Sequence, residues 1–349
     1  MKDPTARFHA RTLVDRLRAS TSRCADLETL AQAIFETVAA DVPFGFACLA
    51  TTDPTSGLIN STYKSHPLAM GEDDFAAAEY GAPDINLFTD LAQRPLPVGV
   101  LSIDTDGHPD RCRRLREFMG PQFGFTDEIR LVCRNQSTTW GLLAIYRDRD
   151  QPTFTAAEGK QVATVHPVIA DAVRRTVFAA KRSGSINPGP FAVLIVDIHN
   201  QLTDTTQTAA AMIDELGGWD HGSLPASVLF VVFSSRMTGQ PAEGRVLGRS
   251  GTWLRVRAVA LTGPTPNRSV ALTIETADAT TVGQMVIAAR GLTAREQEVV
   301  GLILQGASTK DIAGTLHLSP HTVQDHLKAI FTKLNVTSRR ELIGQFALT

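Results

Sequence analysis

The polar residues whose spacing predicts chemistry lie near the end of the chain. Thr293-Ala-Arg-Glu296 and Ser308-Thr-Lys-Asp311 each place a hydroxyl three residues before a carboxylate, which is the pattern of a capping box at the start of a helix. Ser319-Pro320 adds a further N-cap, followed by proline at the first helical position. Apolar residues recur at spacings of three and four after each cap. We therefore expect a series of short amphipathic helices.

Two of these helices, joined by the tight turn His317-Leu318, predict a helix-turn-helix whose second helix covers 319–334. A helix of this kind lies in the major groove of DNA. Glutamine can pair with adenine, aspartate can accept from cytosine N4, and lysine can donate to guanine. We expect Gln324, Asp325 and Lys328 to meet base edges, and the phosphate-binding residues to be Lys310, Thr322, Lys333, Arg339 and Arg340.

Several of these residues have a second interpretation. Lys310 and Arg340 could simply belong to a solvated charged face. Asp325 could be a carboxylate favoured by the helix dipole, or a charge that screens the domain from non-specific DNA. His326 is expected to pack or to lie near phosphate, because no second metal ligand occurs at a useful spacing.

The same segment resembles the DNA-binding domain of LuxR-type transcription regulators. The resemblance implies an all-α domain of four helices over 291–349, double-stranded DNA as partner and RNA polymerase as a further candidate partner. Family members usually carry lysine where this chain has Gln324, so the positive charge of the reading face is reduced here. The shared residues are Leu292-Thr-x-Arg-Glu296, Gly306-x-Ser-x-Lys-x-Ile-Ala313, Leu316-x-Leu-Ser319, Thr322-Val-x-x-His326, Lys333-Leu334 and Ser338-Arg339.

The charge of the chain does not by itself indicate a nucleic-acid partner. The 349 residues include 34 basic and 36 acidic side chains, a net charge of −2. The segment 291–349 holds six basic and five acidic residues and is the only basic part. DNA binding would therefore depend on where the cations are placed, and on a dimer that doubles the contacts.

The first half of the chain predicts a sheet enclosed by helices. A helix over 26–40 precedes strands at 44–51, 57–63, 128–133 and 140–146, and a long helix over 156–180 closes the segment. With Trp140-Gly-Leu-Leu-Ala-Ile-Tyr-Arg147 and Pro152-Thr-Phe-Thr155, this order resembles the GAF sensor domain. The set of residues that binds cyclic nucleotides in that family is missing. The resemblance implies a GAF-like domain over 1–182, and a linker follows at 183–190.

The next segment alternates like a second sheet. We expect strands at 192–198, 245–247, 252–261 and 269–275, and helices at 207–216 and 224–236. With the strand entry Arg249-Ser-Gly-Thr-Trp253, this segment resembles a PAS domain over 191–278, and a connecting helix would cover 279–290. The expected fold is multidomain α+β, with two α/β sensor domains of antiparallel sheet and helices before the all-α domain.

Two sets of apolar residues could serve a sensor. The first set would line a ligand cavity in the first domain, although a closed core explains it equally well. The second set repeats at 3-4-3-4 spacing in the closing helix and would form a coiled-coil seam between two copies, unless that stripe covers its own sheet. The cavity set is Phe46, Cys48, Tyr63, Phe123, Phe125 and Trp140, and the seam set is Val162, Val165, Ile169, Ala172 and Thr176.

Other function classes are disfavoured by composition. The four cysteines lack Cys-x-x-Cys spacing, the longest apolar runs are too short for a membrane span, and the start has no secretory pattern, so a cytoplasmic protein is expected. His108 and Cys112 lack further partners for a metal, and no cofactor motif is found. We expect a non-enzymatic regulator that binds DNA as a homodimer and responds to a small-molecule effector or another signal. The alternatives are an enzyme with a DNA-targeting tail and sensor domains that only dimerise or bind proteins.

Overall fold

The computed structural model describes residues 12–68, 72–135, 138–179, 191–219, 222–262, 269–277, 285, 292–334 and 336–347. Within these ranges the chain forms two antiparallel sheets of five strands each, followed by a group of helices. The predicted mixed α/β architecture with a helical C-terminal part is confirmed at this level. Among the described residues, no helix combines the length and the apolar character that a membrane crossing requires.

The first sheet has the strand order β2-β1-β5-β4-β3, and all its neighbouring strands run antiparallel. Asp26 caps the second helix by accepting from the Thr29 N–H at 2.7 Å, so the helix predicted over 26–40 begins there. The strands are β1 (Phe46–Thr52), β2 (Ile59–Lys64), β3 (Val98–Val100), β4 (Phe125–Asn135) and β5 (Thr138–Asp148). The helices are α1 (Leu13–Thr21), α2 (Leu27–Ala39), α3 (Glu72–Tyr80), α4 (Phe88–Leu91), α5 (Leu101–Asp104), α6 (Gly120–Phe123), α7 (Ala156–Ala163) and α8 (His166–Ala179), with short 3-10 and π turns at Pro109–Arg111 and Leu115–Met119.

The predicted single closing helix over 156–180 is wrong, because the structure divides it into α7 and α8. Thr164 is the C-cap of α7, and Pro167 stands in the first turn of α8. Proline has no backbone N–H and collides with the carbonyl four residues earlier, so it starts a helix more readily than it continues one.

The second sheet repeats the topology of the first. Its order is β7-β6-β10-β9-β8, so in both sheets the strands lie in the order second, first, fifth, fourth, third. The elements are β6 (Ala192–Val196), β7 (Leu202–Thr205), α9 (Ala209–Glu215), α10 (Ala226–Thr238), β8 (Ala242–Leu247), β9 (Trp253–Ala260) and β10 (Val270–Thr276). The predicted linker at 183–190 lies outside the described residues, as does the predicted helix at 279–290 except for Met285, which is helical and buried.

One apolar core joins the two sheets. Helix α10 is buried along its whole first half and packs between the second sheet and the elements α3 and β2 of the first unit. The Phe230 ring meets the rings of Phe75 and Tyr80 at centroid distances of 6.2 and 5.4 Å. At the edge of this core, Arg245 Nη1 lies 3.0 Å from Oδ2 of the fully buried Asp53. The two sheet units are therefore packed as one body.

The C-terminal part forms its own small core. Its helices are α11 (Ala294–Leu304), α12 (Thr309–Thr315), α13 (Pro320–Leu334) and α14 (Arg339–Ala347). The predicted inward residues of these helices are buried or half-buried wherever their side chains are described, and the side chain of Phe346 lies outside the described residues. The core residues are Leu292, Val299, Val300, Ile303, Ile312, Ala313, Val323, Leu327, Ile330, Leu334, Val336 and Leu342.

Candidate nucleic-acid interface

The helices of the C-terminal domain begin at the caps that the sequence predicts. The Thr293 hydroxyl accepts from the Glu296 N–H, and Glu296 Oε2 accepts from the Thr293 N–H at 2.6 Å. Ser308 and Asp311 form the same reciprocal pair. Ser319 Oγ accepts from the Thr322 N–H at 3.0 Å at the start of α13. These local bonds satisfy backbone donors that a helix start would otherwise leave unpaired.

The turn between α12 and α13 has the geometry of a helix-turn-helix. His317 takes a left-handed conformation with φ of +54°, and the Leu318 N–H donates to the Ala313 carbonyl at 2.9 Å. This closes α12 and turns the chain sharply into α13, which contacts both α11 and α12. The predicted turn is thereby confirmed.

Helix α13 divides into a buried face and an exposed face. Val323, Leu327, Ile330 and Leu334 are buried at spacings of four and three. The opposite stripe consists of exposed residues at the same spacings, namely His321, Gln324, Asp325, Lys328 and Thr332. The three predicted base-reading residues thus share one uncovered stripe, and their contact with bases stays a prediction.

The sequence interpretation omitted His321, which belongs to that stripe. Its Nδ1 lies 3.2 Å from Asp325 Oδ2, and the side chains are 89% and 60% exposed. Residues four apart face each other on a helix, so the spacing from Asp325 would have identified this pair. Asp325 therefore has a neighbour on its own helix that competes for its carboxylate.

The five predicted phosphate contacts fall into two groups. Lys310 and Arg340 are exposed, as a phosphate contact requires. Lys333 Nζ instead lies 2.6 Å from Glu296 Oε2, and Arg339 donates to the Ala307 carbonyl. The Thr322 hydroxyl lies 2.8 Å from the Ser319 hydroxyl at the helix start. Lys333 and Arg339 thus hold helices of the domain together.

The bond from Lys333 also affects the acidity of its partner. Burial alone would raise the pKa of Glu296, but hydrogen bonds from Lys333 and from Thr293 hold this pKa below its usual value. The carboxylate form is therefore the form that the folded domain stabilises. A second tie missed by the sequence interpretation is Arg295, which donates to the Leu316 carbonyl and pairs with Glu298 at 2.7 Å.

The predicted ligand cavity of the first unit is wrong as a single site. Phe46, Cys48 and Phe125 lie in the core on one face of the sheet, with Phe123 packed against it, whereas Tyr63 and Trp140 belong to the core on the other face. Tyr63 pairs with Leu49, one residue out of phase with Cys48. Side chains alternate along a strand, so this register puts Tyr63 on the opposite face.

Trp140 changes face because of a β-bulge. Cys133 pairs with Gly141 and Arg134 pairs with Thr139, which leaves Trp140 as an extra residue in β5. The space beside Phe46 and Cys48 measures only about 10 Å³. The Phe46 and Phe125 rings stack at 5.6 Å, so this part of the first unit is a closed core.

The predicted dimer seam in the closing helices is also wrong. All five seam residues are buried within the chain itself, with exposures from 0 to 7%. Ile169, Ala172 and Thr176 lie on α8, which contacts β4 and β5, and Val162 and Val165 belong to the same core as Ile169. The alternative interpretation, in which the stripe covers its own sheet, is the observed arrangement for Val162, Val165, Ile169, Ala172 and Thr176.

Comparison with known proteins bears on the C-terminal domain. Residues 290–345 match the family described as bacterial regulatory proteins, luxR family (GerE). The monoamine regulon transcriptional regulator of Klebsiella aerogenes is 48% identical over 54 residues, which cover 16% of this chain and 24% of that protein. The HTH-type transcriptional regulator MalT of Serratia proteamaculans is 41% identical over 54 residues, covering 16% and 6%.

Among solved structures, Escherichia coli SdiA is 12% identical and matches 95% of this chain and 94% of its own, with a TM-score of 0.33. A superposition this poor carries no information about function. The two sequence relatives match over a quarter or less of their own length and so describe only the last domain. On the motif, the caps and the helix-turn-helix geometry together, residues 290–345 form a helix-turn-helix domain of the kind found in the luxR family of bacterial regulatory proteins.

Proposed function

We propose that this chain is a transcription regulator that binds operator DNA as a homodimer and responds to a small-molecule effector or another signal. The observation that carries the proposal is the exposed stripe of α13, where Gln324, Asp325 and Lys328 lie side by side on a helix of a luxR-family domain. Amide, carboxylate and ammonium groups in that arrangement match the edges of base pairs in a major groove.

The small number of exposed cations in the C-terminal domain supports the proposed dimer. Of the basic residues described in the domain, Lys310, Lys328 and Arg340 are exposed, whereas Lys333 and Arg339 are bonded within the domain. DNA affinity grows with the number of phosphates that a protein neutralises. A single copy would bind weakly, and two copies on an inverted repeat would double the contacts.

For the two sheet units we propose a GAF-like and a PAS-like sensor, respectively. Their identical strand orders and their shared core support a sensor in which the two units are packed against each other. The end of α8 also links the two units. The Phe178 ring lies 6.0 Å from the Trp140 ring of the first unit and 5.7 Å from the Trp253 ring of the second unit.

We further propose that this half is not catalytic and that the protein acts in the cytoplasm. Several acidic side chains buried in the first unit are paired with arginine. Arg114 pairs with Asp84 at 3.4 Å and with Glu128 at 2.9 Å, and Arg130 pairs with Glu79. Carboxylates held in such pairs are poor candidates for general acids or bases.

The test is selection of double-stranded DNA from a random library with the full chain, followed by gel-shift titration of the enriched sequence. We expect an inverted repeat whose affinity for the chain exceeds that of random DNA. The Gln324→Ala, Lys328→Ala double variant should lose most of this preference, while Arg257→Ala, on the second sheet, should keep it. No enrichment, or an unchanged preference in the double variant, would refute the proposal.

A further inference from the structure

A cavity lies between the two sheet units. Its volume is about 630 Å³. One wall consists of α2, β2, the segment that follows β2 and Glu72 at the start of α3. The other wall consists of the end of α9, the start of α10 and Arg249. Pockets of 300–1,000 Å³ are the usual size for small-molecule sites, and they often form where two domains meet.

The start of α10 faces this cavity. This helix has 13 residues, its N-cap is Pro225, and no side chain caps it. Ala226 and Ser227 line the cavity, and their N–H groups belong to the first turn, which has no intrahelical acceptor. The positive end of the helix dipole favours an anion at such a place.

A second, independent observation points to a ligand at the same place. Ser227 is 2% exposed, and its hydroxyl has no hydrogen-bond partner among the described residues. A buried hydroxyl is nearly always bonded, and leaving it unpaired costs free energy. A ligand in the cavity would supply the missing partner.

The charged residues of the cavity wall fit an anion that also carries hydrogen-bond donors. Arg249 is exposed, donates to the Gly217 carbonyl and forms no ion pair with any described carboxylate. Glu72 Oε1 is paired with Lys64 Nζ at 2.8 Å, while its buried Oε2 has no described partner. The other acidic residue of the wall, Glu28, is exposed to solvent.

We propose that this cavity binds a small hydroxylated anion, a carboxylate or a phosphate ester, with its charged group at the start of α10 against Ser227 and Arg249. A hydroxyl of the same molecule would donate to Glu72 Oε2. Because the bound molecule would touch both sheet units, its arrival would change how they pack. This last role rests on the proposed sensor function, whereas binding itself does not.

Calorimetric titration of the full chain without DNA tests the site, with gluconate as the carboxylate probe, glucose 6-phosphate as the phosphate probe and glucose as the neutral control. We expect at least one charged probe to bind with a Kd below ~1 mM and glucose not to bind. Ser227→Ala and Arg249→Ala should each weaken binding about tenfold, as loss of a hydrogen bond to a charged group does. Arg257→Ala, an exposed arginine elsewhere on the second unit, is the matched control and should bind as the unmodified chain does.

The two charged probes also separate the sources of the anion, because binding of only one of them assigns the site to that class. No binding of either charged probe, equal binding of glucose, or unchanged affinity in both variants would overturn the proposal. Since the titration contains no DNA, its result is independent of operator binding, which the DNA selection measures separately.

Discussion

Lys333 Nζ lies 2.6 Å from Glu296 Oε2, so the last turn of α13 is bonded to the capping residue of α11. The Glu296 side chain is almost fully buried, and the Lys333 side chain is one-third exposed. The pair joins the first helix of the domain to the third, which carries the exposed stripe. The first two predictions concern this contact.

Replacement of Lys333 by Met should destabilise the C-terminal domain by about 1 kcal/mol, a value discounted for the exposure of the lysine. The loss comes from leaving the buried Glu296 carboxylate without its cation. Hydrogen exchange of the α11 amides in the full chain should accelerate. The exposed Lys310→Met is the control, and equal exchange in both variants would assign Lys333 back to phosphate binding alone.

The same pair predicts a pH dependence. The folded pKa of Glu296 is lowered, so its contribution to stability is fully present above the unfolded pKa of about 4.3 and is lost as pH falls through the folded value. The protection factors of the α11 amides, which correct the exchange rates for the intrinsic rate at each pH, should therefore be constant above that pH. Below it they should fall. Protection in Glu296→Gln should depend less on pH, and an identical pH profile would contradict the assignment.

Replacement of Lys328 by Ala should relax base preference at one operator position and cost about 1–3 kcal/mol of operator affinity. The reason is the loss of a donor to a base edge from the exposed stripe. Lys310→Ala should lower the affinity for operator and random DNA by similar factors, as loss of a phosphate contact does. Gel-shift titrations on both duplexes distinguish these outcomes, and unchanged operator affinity would exclude Lys328 as a base-reading residue.

Replacement of Asp325 by Ala should tighten the binding of both operator and random DNA. Its carboxylate is 60% exposed on the stripe and would repel phosphate, and its neighbour His321 would be left free to approach DNA. His321→Ala is the companion variant and should lower the affinity for both operator and random DNA. A loss confined to the operator in Asp325→Ala would instead mean that Asp325 accepts from cytosine.

Replacement of Ile169 by Glu should unfold the first unit and not merely separate two copies. Ile169 is 0% exposed in the core between α8 and the sheet, where an unpaired carboxylate is strongly unfavourable. Circular dichroism should show loss of structure, and Arg175→Glu, half-exposed on the same helix, should remain folded. A folded monomeric Ile169→Glu protein would restore the coiled-coil seam.

The spacing of neighbouring residues in the sequence was sufficient to predict most helix starts of the C-terminal domain. Three helix starts are predicted by short-range pairs and confirmed by the structure. The pairs are Thr293 with Glu296, Ser308 with Asp311, and Ser319 with the following Pro320. These bonds join residues three apart, so no other part of the chain has to be placed first. The alternation of the longer strands is equally local, whereas the short β3 and the polar β7 lack enough of it to be recognised.

Contacts between residues far apart in the sequence were decided only by the tertiary structure. The apolar stripe of α8 has the period of both a coiled coil and a core helix, and only the position of the sheet shows which surface covers it. Lys333 and Arg339 look like free cations until α13 and α14 are packed against their partners. A single bulge moves Trp140 to the other face, which no alternation predicts.

The sequence by itself determined the helix-turn-helix and its exposed stripe, because helix periodicity and capping act over three or four residues. It did not reveal that two segments without a detectable repeat share one strand order, nor that a cavity of about 630 Å³ lies between them. Strand order and cavities depend on which distant surfaces bury each other. That choice is made by the packing of the whole chain, and composition and spacing leave it open.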